Sequence, residues 1–244
     1  MRGDGDGPII ACMNSILAGG SLLLAVHAAL AATTVDVATH GAKGDGTTPD
    51  TAAIQSAVDA CAAAGGGRVT FPDGRFLSGS ILLPGGVTLV LPPGATLLGS
   101  TNTADFPHGA LLSATGVSGI GLEGGGTIDG RGASFWECKS AGDREAWHGP
   151  PWRGTAQFEY RALKRPRFLH FTRCTNIVVR NVRLQGSPSW TLHLQRCHTA
   201  DVDRVTIRNP LYGPNTDGID LNSCVAVRVR RCDIVTGDDG VVLK

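Results

Sequence analysis

Phe168-Leu-His-Phe-Thr-Arg-Cys174, Thr191-Leu-His-Leu-Gln-Arg-Cys197 and Gly218-Ile-Asp-Leu-Asn-Ser-Cys224 are three copies of one pattern. The cysteines step by 23 and then 27 residues. A second apolar set follows each copy with the same steps: Val179, Val182 and Leu184; then Val202, Val205 and Ile207; then Val229, Cys232 and Ile234. A fourth copy opens at Gly240-Val-Val-Leu243, 22 residues after Leu221. A period in the low twenties with several short strands per repeat is the mark of a solenoid, because one turn cannot bury its own apolar side chains and must stack on its neighbours. Parallel stacking sets equivalent residues ~4.8 Å apart. The expected class is all-β, a right-handed parallel β-helix, although spacing by itself does not fix the hand. No helical segment sits inside the period, which disfavours a leucine-rich repeat.

The stacking places Cys174, Cys197 and Cys224 in one interior column. There they read as a ladder of small buried hydrophobes, with a disulfide between stacked neighbours as the alternative. No Cys-x-x-Cys or close Cys/His cluster occurs, so no zinc site is expected, and neither a metal nor a cofactor is assigned.

Upstream, short apolar runs such as Val69-Thr-Phe71, Ser80-Ile-Leu-Leu83 and Val87-Thr-Leu-Val-Leu91 alternate with Pro/Gly turns from Arg68 onward. Before them, residues 35–50 read as a strand and a glycine turn. A helix over residues 50–64 is expected next, capped by Thr48 or Asp50 with Pro49 in its first turn. Ile54, Val58 and Cys61 share its inner face, and Gly65-Gly-Gly67 ends it. This helix is the natural cap for the N-terminal end of the solenoid. Residues 132–167, rich in Trp, Pro and charge, interrupt the repeat as a long excursion.

Composition agrees. The chain has 244 residues, 34 of them glycine, and only 5% aromatics, as many short strands joined by tight turns require. The formal net charge of +1 names no partner, and neither nucleic acid nor a membrane is expected as one. Charge is uneven, however: nine Lys or Arg residues fall between Arg144 and Arg183, enough to attract an acidic polymer or to form a solvated strand face. The apolar run 15–26 followed by Ala28-Ala-Leu-Ala-Ala32 reads as a secretion signal cleaved near Ala29-Leu30-Ala31. Arg2 is offset by Asp4 and Asp6, so Met13 is an alternative start. The division expected is a signal peptide over 1–32 and a β-helix domain over 33–244, secreted to the cell exterior or cell wall.

Two segments carry chemistry: Asn215-Thr-Asp-Gly218 and Gly237-Asp-Asp-Gly240. The repeat places Asp217 and Asp239 in one column, a coil apart. Successive strand residues face opposite ways, so Asp238 and Asp239 share a face only if the backbone bends there, which the flanking glycines permit. Three gathered carboxylates would raise at least one pKa, as a general acid needs. Asp-Gly and Asp-Asp-Gly are also ordinary turn sequences, so spacing leaves catalysis and solvated turns side by side.

Asn215-Thr-Asp-Gly-Ile-Asp220 followed by Thr236-Gly-Asp-Asp-Gly-Val-Val-Leu-Lys244 resembles the paired active-site motifs of family 28 glycoside hydrolases, the polygalacturonases. Gly41–Gln55, Gly124–Gly132 and Ser187-Pro-Ser-Trp-Thr-Leu-His193 resemble further segments of plant and bacterial members, so the likeness covers residues 35–244. It implies a right-handed parallel β-helix that hydrolyses α-1,4 galacturonosyl linkages of pectin with inversion. It implies Asp238 as general acid, Asp217 and Asp239 as the pair that holds and deprotonates water, and Asn215 and Lys244 as support or substrate-binding residues. A Gly-His-Gly histidine and an Arg-x-Lys pair that the family places after Gly-Asp-Asp do not occur in these residues. The chain is therefore read as C-terminally incomplete, with little activity as it stands and an open last coil that can aggregate. A pectate-lyase-like enzyme with calcium on the three aspartates, and a non-catalytic binder of acidic polysaccharide, are the alternative readings.

Overall fold

The computed structural model describes residues 33–138 and 160–244. The signal-peptide reading of residues 1–32, and Arg144 and Arg153 of the basic stretch, lie outside them. Each coil contributes a strand to up to three parallel sheets. The first sheet stacks Thr33–Asp36, Gly67–Thr70, Val87–Val90, Gly121–Glu123, Thr175–Arg180, His198–Asp203 and Val225–Arg230. The second stacks Asp45–Pro49, Gly74–Ser78, Ala95–Gly99, Thr127–Asp129, Arg183–Gln185, Thr206–Arg208 and Asp233–Val235. The third has Ile81–Leu82, Ala110–Thr115, Arg167–Thr172, Leu192–Gln195, Ile219–Asn222 and Val241–Leu243. The result is a right-handed parallel β-helix.

Register follows the sequence repeat. Leu169 pairs with Leu192, Leu192 with Ile219, and Ile219 with Val241, so the steps of 23, 27 and 22 residues are one coil each. The interior is filled by the aligned apolar positions: Leu169, Leu192 and Ile219 are fully buried, as are Val179 and Val202 below the first sheet and Leu184 and Ile207 below the second. Fully burying a side chain of this kind contributes ~1.5–3 kcal/mol. In the last described coil Val227, Val229, Cys232 and Ile234 are only partly buried.

Cys174 and Cys197 are buried thiols in one ladder, and Cys224 continues it half-buried in the final coil. All three are free, so the disulfide alternative is not taken up. Instead Cys197 Sγ lies 3.3 Å from the Phe171 carbonyl and Cys224 Sγ 3.2 Å from the Leu194 carbonyl, each thiol donating to the coil before it.

Corners repeat as faithfully as strands. Arg173, Arg196 and Ser223, each just before a ladder cysteine, hold φ near +52°, and so do Asn181, Arg204 and Arg231 where the first sheet gives way to the second. A left-handed residue at a fixed place in each coil turns the chain without a loop, at ~1–2 kcal/mol for a residue with a Cβ.

The helix runs Thr51–Ala63 with Ile54, Val58 and Cys61 buried. Its start differs from expectation. Pro49 ends a strand rather than entering the helix. Thr48 bonds back to Asp45, its N–H to Oδ1 at 2.7 Å and its hydroxyl to Oδ2 at 2.7 Å. Asp50 holds the N-cap position but makes no side-chain cap bond. Its carboxylate accepts instead from the Lys43 and Gly44 N–H groups at 2.6 and 3.0 Å, so it fastens the glycine turn.

The connections from the second sheet to the third are the variable ones. They include residues 186–191, 209–218 and 236–240, which lie in successive coils on the same edge. The excursion leaves from this edge too, and its described part is an antiparallel pair, Trp136–Cys138 with Tyr160–Ala162.

Candidate active site

Asp217 lies in the 209–218 connection and Asp238 and Asp239 in the next one. Gly218 N–H donates to the Asp239 carbonyl at 2.8 Å, so Asp217 and Asp239 do occupy equivalent places in adjacent coils. Asp238 and Asp239 fall between the strands Asp233–Val235 and Val241–Leu243, in a bend rather than an extended run. The bend lets both carboxylates approach Asp217, and one oxygen from each of the three lies within 4.8 Å of the others. Asp217 is buried, Asp238 half-buried and Asp239 exposed.

Close backbone packing makes the bend possible. A Cβ on Gly237 would meet the Gly213 carbonyl at 2.5 Å, the Pro210 carbonyl at 2.7 Å and the Thr216 hydroxyl at 2.8 Å. Only glycine brings the two connections this near. The Gly237 N–H then donates to Thr216 Oγ1 at 3.1 Å, and Thr216 Oγ1 donates to the Gly213 carbonyl at 3.0 Å.

Burial pushes the Asp217 carboxyl up to about 6, helped by the charges of Asp220 and Asp238 and opposed by Lys244. Lys244 Nζ stands 3.6 Å from Asp217 Oδ2 and 2.6 Å from Asp220 Oδ1, and 3.5 Å above the Trp190 ring. Lys244 therefore sits in the site. Asn215 also borders it, with φ of 52°, but its amide oxygen accepts from Arg165 Nη2 at 2.9 Å.

Three groups in this site carry no role in the sequence reading. Asp220 is fully buried and its carboxyl is also pushed upward, chiefly by desolvation. Asn209 is buried and ties three segments together: it accepts from the Ser187 N–H at 2.9 Å and donates to Thr191 Oγ1 at 2.8 Å and to the Thr216 carbonyl at 3.2 Å. Arg165 donates to the Pro188 and Pro214 carbonyls at 2.8 and 2.6 Å. The only signal for Asp220 is its alignment with His193 and His170 in one outward column. A larger concavity of about 460 Å³, lined by residues such as Val178, Asp201 and Arg228, gathers no comparable set of catalytic groups.

The model of glycosyl hydrolases family 28 matches residues 61–244, which include the whole site. The chain belongs to family 28. A Vitis vinifera relative named "Probable polygalacturonase" is 30% identical over 84% of this chain and 43% of its own length. An endo-polygalacturonase of Pectobacterium carotovorum subsp. carotovorum is 30% identical over 80% and 51%. The solved polygalacturonase of Erwinia carotovora superposes with a TM-score of 0.69 at 25% identity, over 87% of this chain and 58% of that one. The chain thus spans about half the length of the curated relatives it matches. The matched range contains Asp217, Asp238 and Asp239.

Proposed function

We propose that the chain carries the catalytic carboxylates of a polygalacturonase, which cleaves the α-1,4 galacturonosyl linkages of pectin with inversion. The observation that carries this reading is the meeting of Asp217, Asp238 and Asp239 within 4.8 Å at the bend between two coils, inside the region matched by the family. Asp238 donates a proton to the leaving glycosidic oxygen. Asp217 and Asp239 hold a water between adjacent coils and take its proton as it attacks the anomeric carbon. Lys244, anchored on Asp220, sets the charge beside Asp217. The substrate is polygalacturonate, an acidic polymer, and the resemblance supports inversion.

The apolar run over 15–26 and the extracellular nature of pectin support secretion, with a signal peptide over 1–32 ahead of a β-helix domain over 33–244. The test joins residues 33–244 to the C-terminal coils of the Pectobacterium relative and follows reducing sugar from polygalacturonate. Asp238→Asn in that chimaera keeps the fold and lowers the rate ~10²–10⁴-fold. Retained activity rejects the role given to Asp238, and a product with ultraviolet absorbance from a new double bond makes the enzyme a lyase.

A further inference from the structure

A groove of about 460 Å³ crosses three successive coils on the first sheet. Asn176, Thr199 and Ala226 line it, and so do Val178, Asp201 and Arg228. Each set is one column of the stack. Val178 pairs with Asp201 and Asp201 with Arg228, while Asn176, Thr199 and Ala226 all hold φ between 53° and 56°. The three aspartates of the candidate active site stand between the second and third sheets, on the one connection of each coil that does not adjoin the first sheet. The groove is therefore on the far side of the coil from them.

Charge on this face is one-sided. The strands Thr175–Arg180, His198–Asp203 and Val225–Arg230, with the corner residue after each, hold five arginines and two aspartates, and no lysine or glutamate. The whole chain carries a formal net charge of only +1, so the surplus is local. Exposure is just as unequal. The Asp203 side chain is 2% exposed, with Arg231, Arg204 and Arg180 at 2.6, 3.7 and 3.8 Å. Asp201 is 23% exposed and bridges Arg180 and Arg230 at 2.9 and 3.0 Å, which brings both guanidiniums to the edge of the groove. These four arginine side chains stay 39–57% exposed. Arg228 is exposed and forms no ion pair among the described residues.

The carboxylates thus lie beneath, and the guanidiniums face solvent. Exposed ion pairs add little to stability, and five arginines around two aspartates repel one another, so the arrangement is poorly suited to holding the fold alone. It is suited to a polyanion. Guanidiniums recur at the coil spacing of ~4.8 Å and bind carboxylates through paired N–H donors, and a polyuronate offers a carboxylate on every sugar. No aromatic ring lines the groove, whereas single-stranded nucleic acid is held by stacking its bases on such rings.

We propose that this groove is a second docking site for a run of galacturonate units, separate from the site of cleavage, and that it holds the enzyme to the polymer while the aspartates act on another stretch of it. The choice of galacturonate rests on the hydrolase reading; the negative charge of the occupant rests on the groove itself. Methyl-esterified stretches, which lack that charge, are passed over.

Fluorescence anisotropy of labelled decagalacturonate, titrated with the chain, tests it. Arg228→Glu keeps the fold, checked by circular dichroism, because the arginine is exposed and unpaired. It weakens binding about 3- to 10-fold at low salt, the scale of one exposed attraction lost and one repulsion gained, while Arg228→Lys binds like the unmodified chain. In the chimaera Arg228→Glu raises KM for polygalacturonate by a similar factor, with kcat unchanged and the rate on trigalacturonate, too short to reach both sites, unaltered. Undiminished binding by Arg228→Glu, or equal binding of the fully methyl-esterified decamer, overturns the docking site. Tighter binding of a single-stranded DNA decamer overturns the assignment to a sugar acid. If the chimaera cleaves polygalacturonate and Arg228→Glu binds normally, the docking site falls and the hydrolase reading stands. If binding depends on Arg228 while the chimaera releases no reducing sugar, the docking site stands and the hydrolase reading falls.

Discussion

Replacing Asp217 by asparagine is expected to stabilise the fold at neutral pH. Asp217 is 4% exposed, its Oδ1 has no hydrogen-bond partner, and its carboxyl is pushed from an ordinary 3.8 to about 6. The folded chain therefore holds a proton that the unfolded chain has already released between these two values. Stability contributed by this group is intact below ~3.8, falls as pH rises through the window to 6, and stays diminished above it. At roughly 1.4 kcal/mol per pH unit, keeping Asp217 charged costs the fold about 3 kcal/mol at neutral pH. A side-chain amide cannot ionise, so at pH 7.5 the Asp217→Asn variant is more stable by up to ~3 kcal/mol, or roughly 6–12 °C in Tm for a chain of this size. At pH 3.5, where Asp217 is itself protonated, the difference closes. Urea denaturation at low micromolar concentration, followed by circular dichroism at both pH values, reads the effect. A variant that is less stable at pH 7.5, or whose gain is the same at both pH values, refutes the claim that Asp217 is a desolvated carboxylate crowded by like charges.

Three further outcomes are expected. Asp220→Asn removes one of the charges that raise Asp217, so the Asp217 pKa moves down toward its ordinary value in a ¹³C NMR titration; an upward move shows that Asp220 acts mainly by anchoring Lys244. Gly237→Ala places a methyl against the Gly213 and Pro210 carbonyls, a clash of about 1–3 kcal/mol, and urea denaturation registers the loss; an unchanged midpoint means the two connections do not approach as described. The final described coil exposes Leu243 at 82%, Val225 at 54% and Val241 at 49%, and unpaired strand edges recruit other chains. Residues 33–244 therefore self-associate in size-exclusion chromatography with light scattering while the chimaera does not, and a monomer of 33–244 contradicts this.

The coil repeat was readable because a ladder obliges equivalent residues to recur. Cys174, Cys197 and Cys224, and Asp217 with Asp239, keep their spacing since each pairs with the coil before it. The bend at Asp238 was readable from its glycines. Much of the site was not. Asp220 and His193 alternate with apolar residues as solvent-facing positions do, yet they are 0% and 3% exposed: Lys244 packs against Asp220, and Trp190, His170 and Arg167 pack around His193. Asn209 and Arg165 act on backbone carbonyls and amides, and no residue pattern encodes such partners. Of the six left-handed corners, only Asn181 falls on a residue that favours this conformation; the others fall on Arg and Ser, which carry no such mark. The helix start misled for a related reason: Asp50 has the composition of a cap, but the nearby turn at Lys43 and Gly44 takes its carboxylate.

In the proposed reaction Asp238 protonates the leaving oxygen while Asp217 and Asp239 deliver water from the opposite face of the sugar. The anomeric configuration of the first-formed product tests this most directly. Proton NMR of the chimaera acting on oligogalacturonate should show the β-anomer of the new reducing end appearing first, with the α-anomer growing later by mutarotation. The α-anomer appearing first would contradict it and make one of the three aspartates a covalent nucleophile.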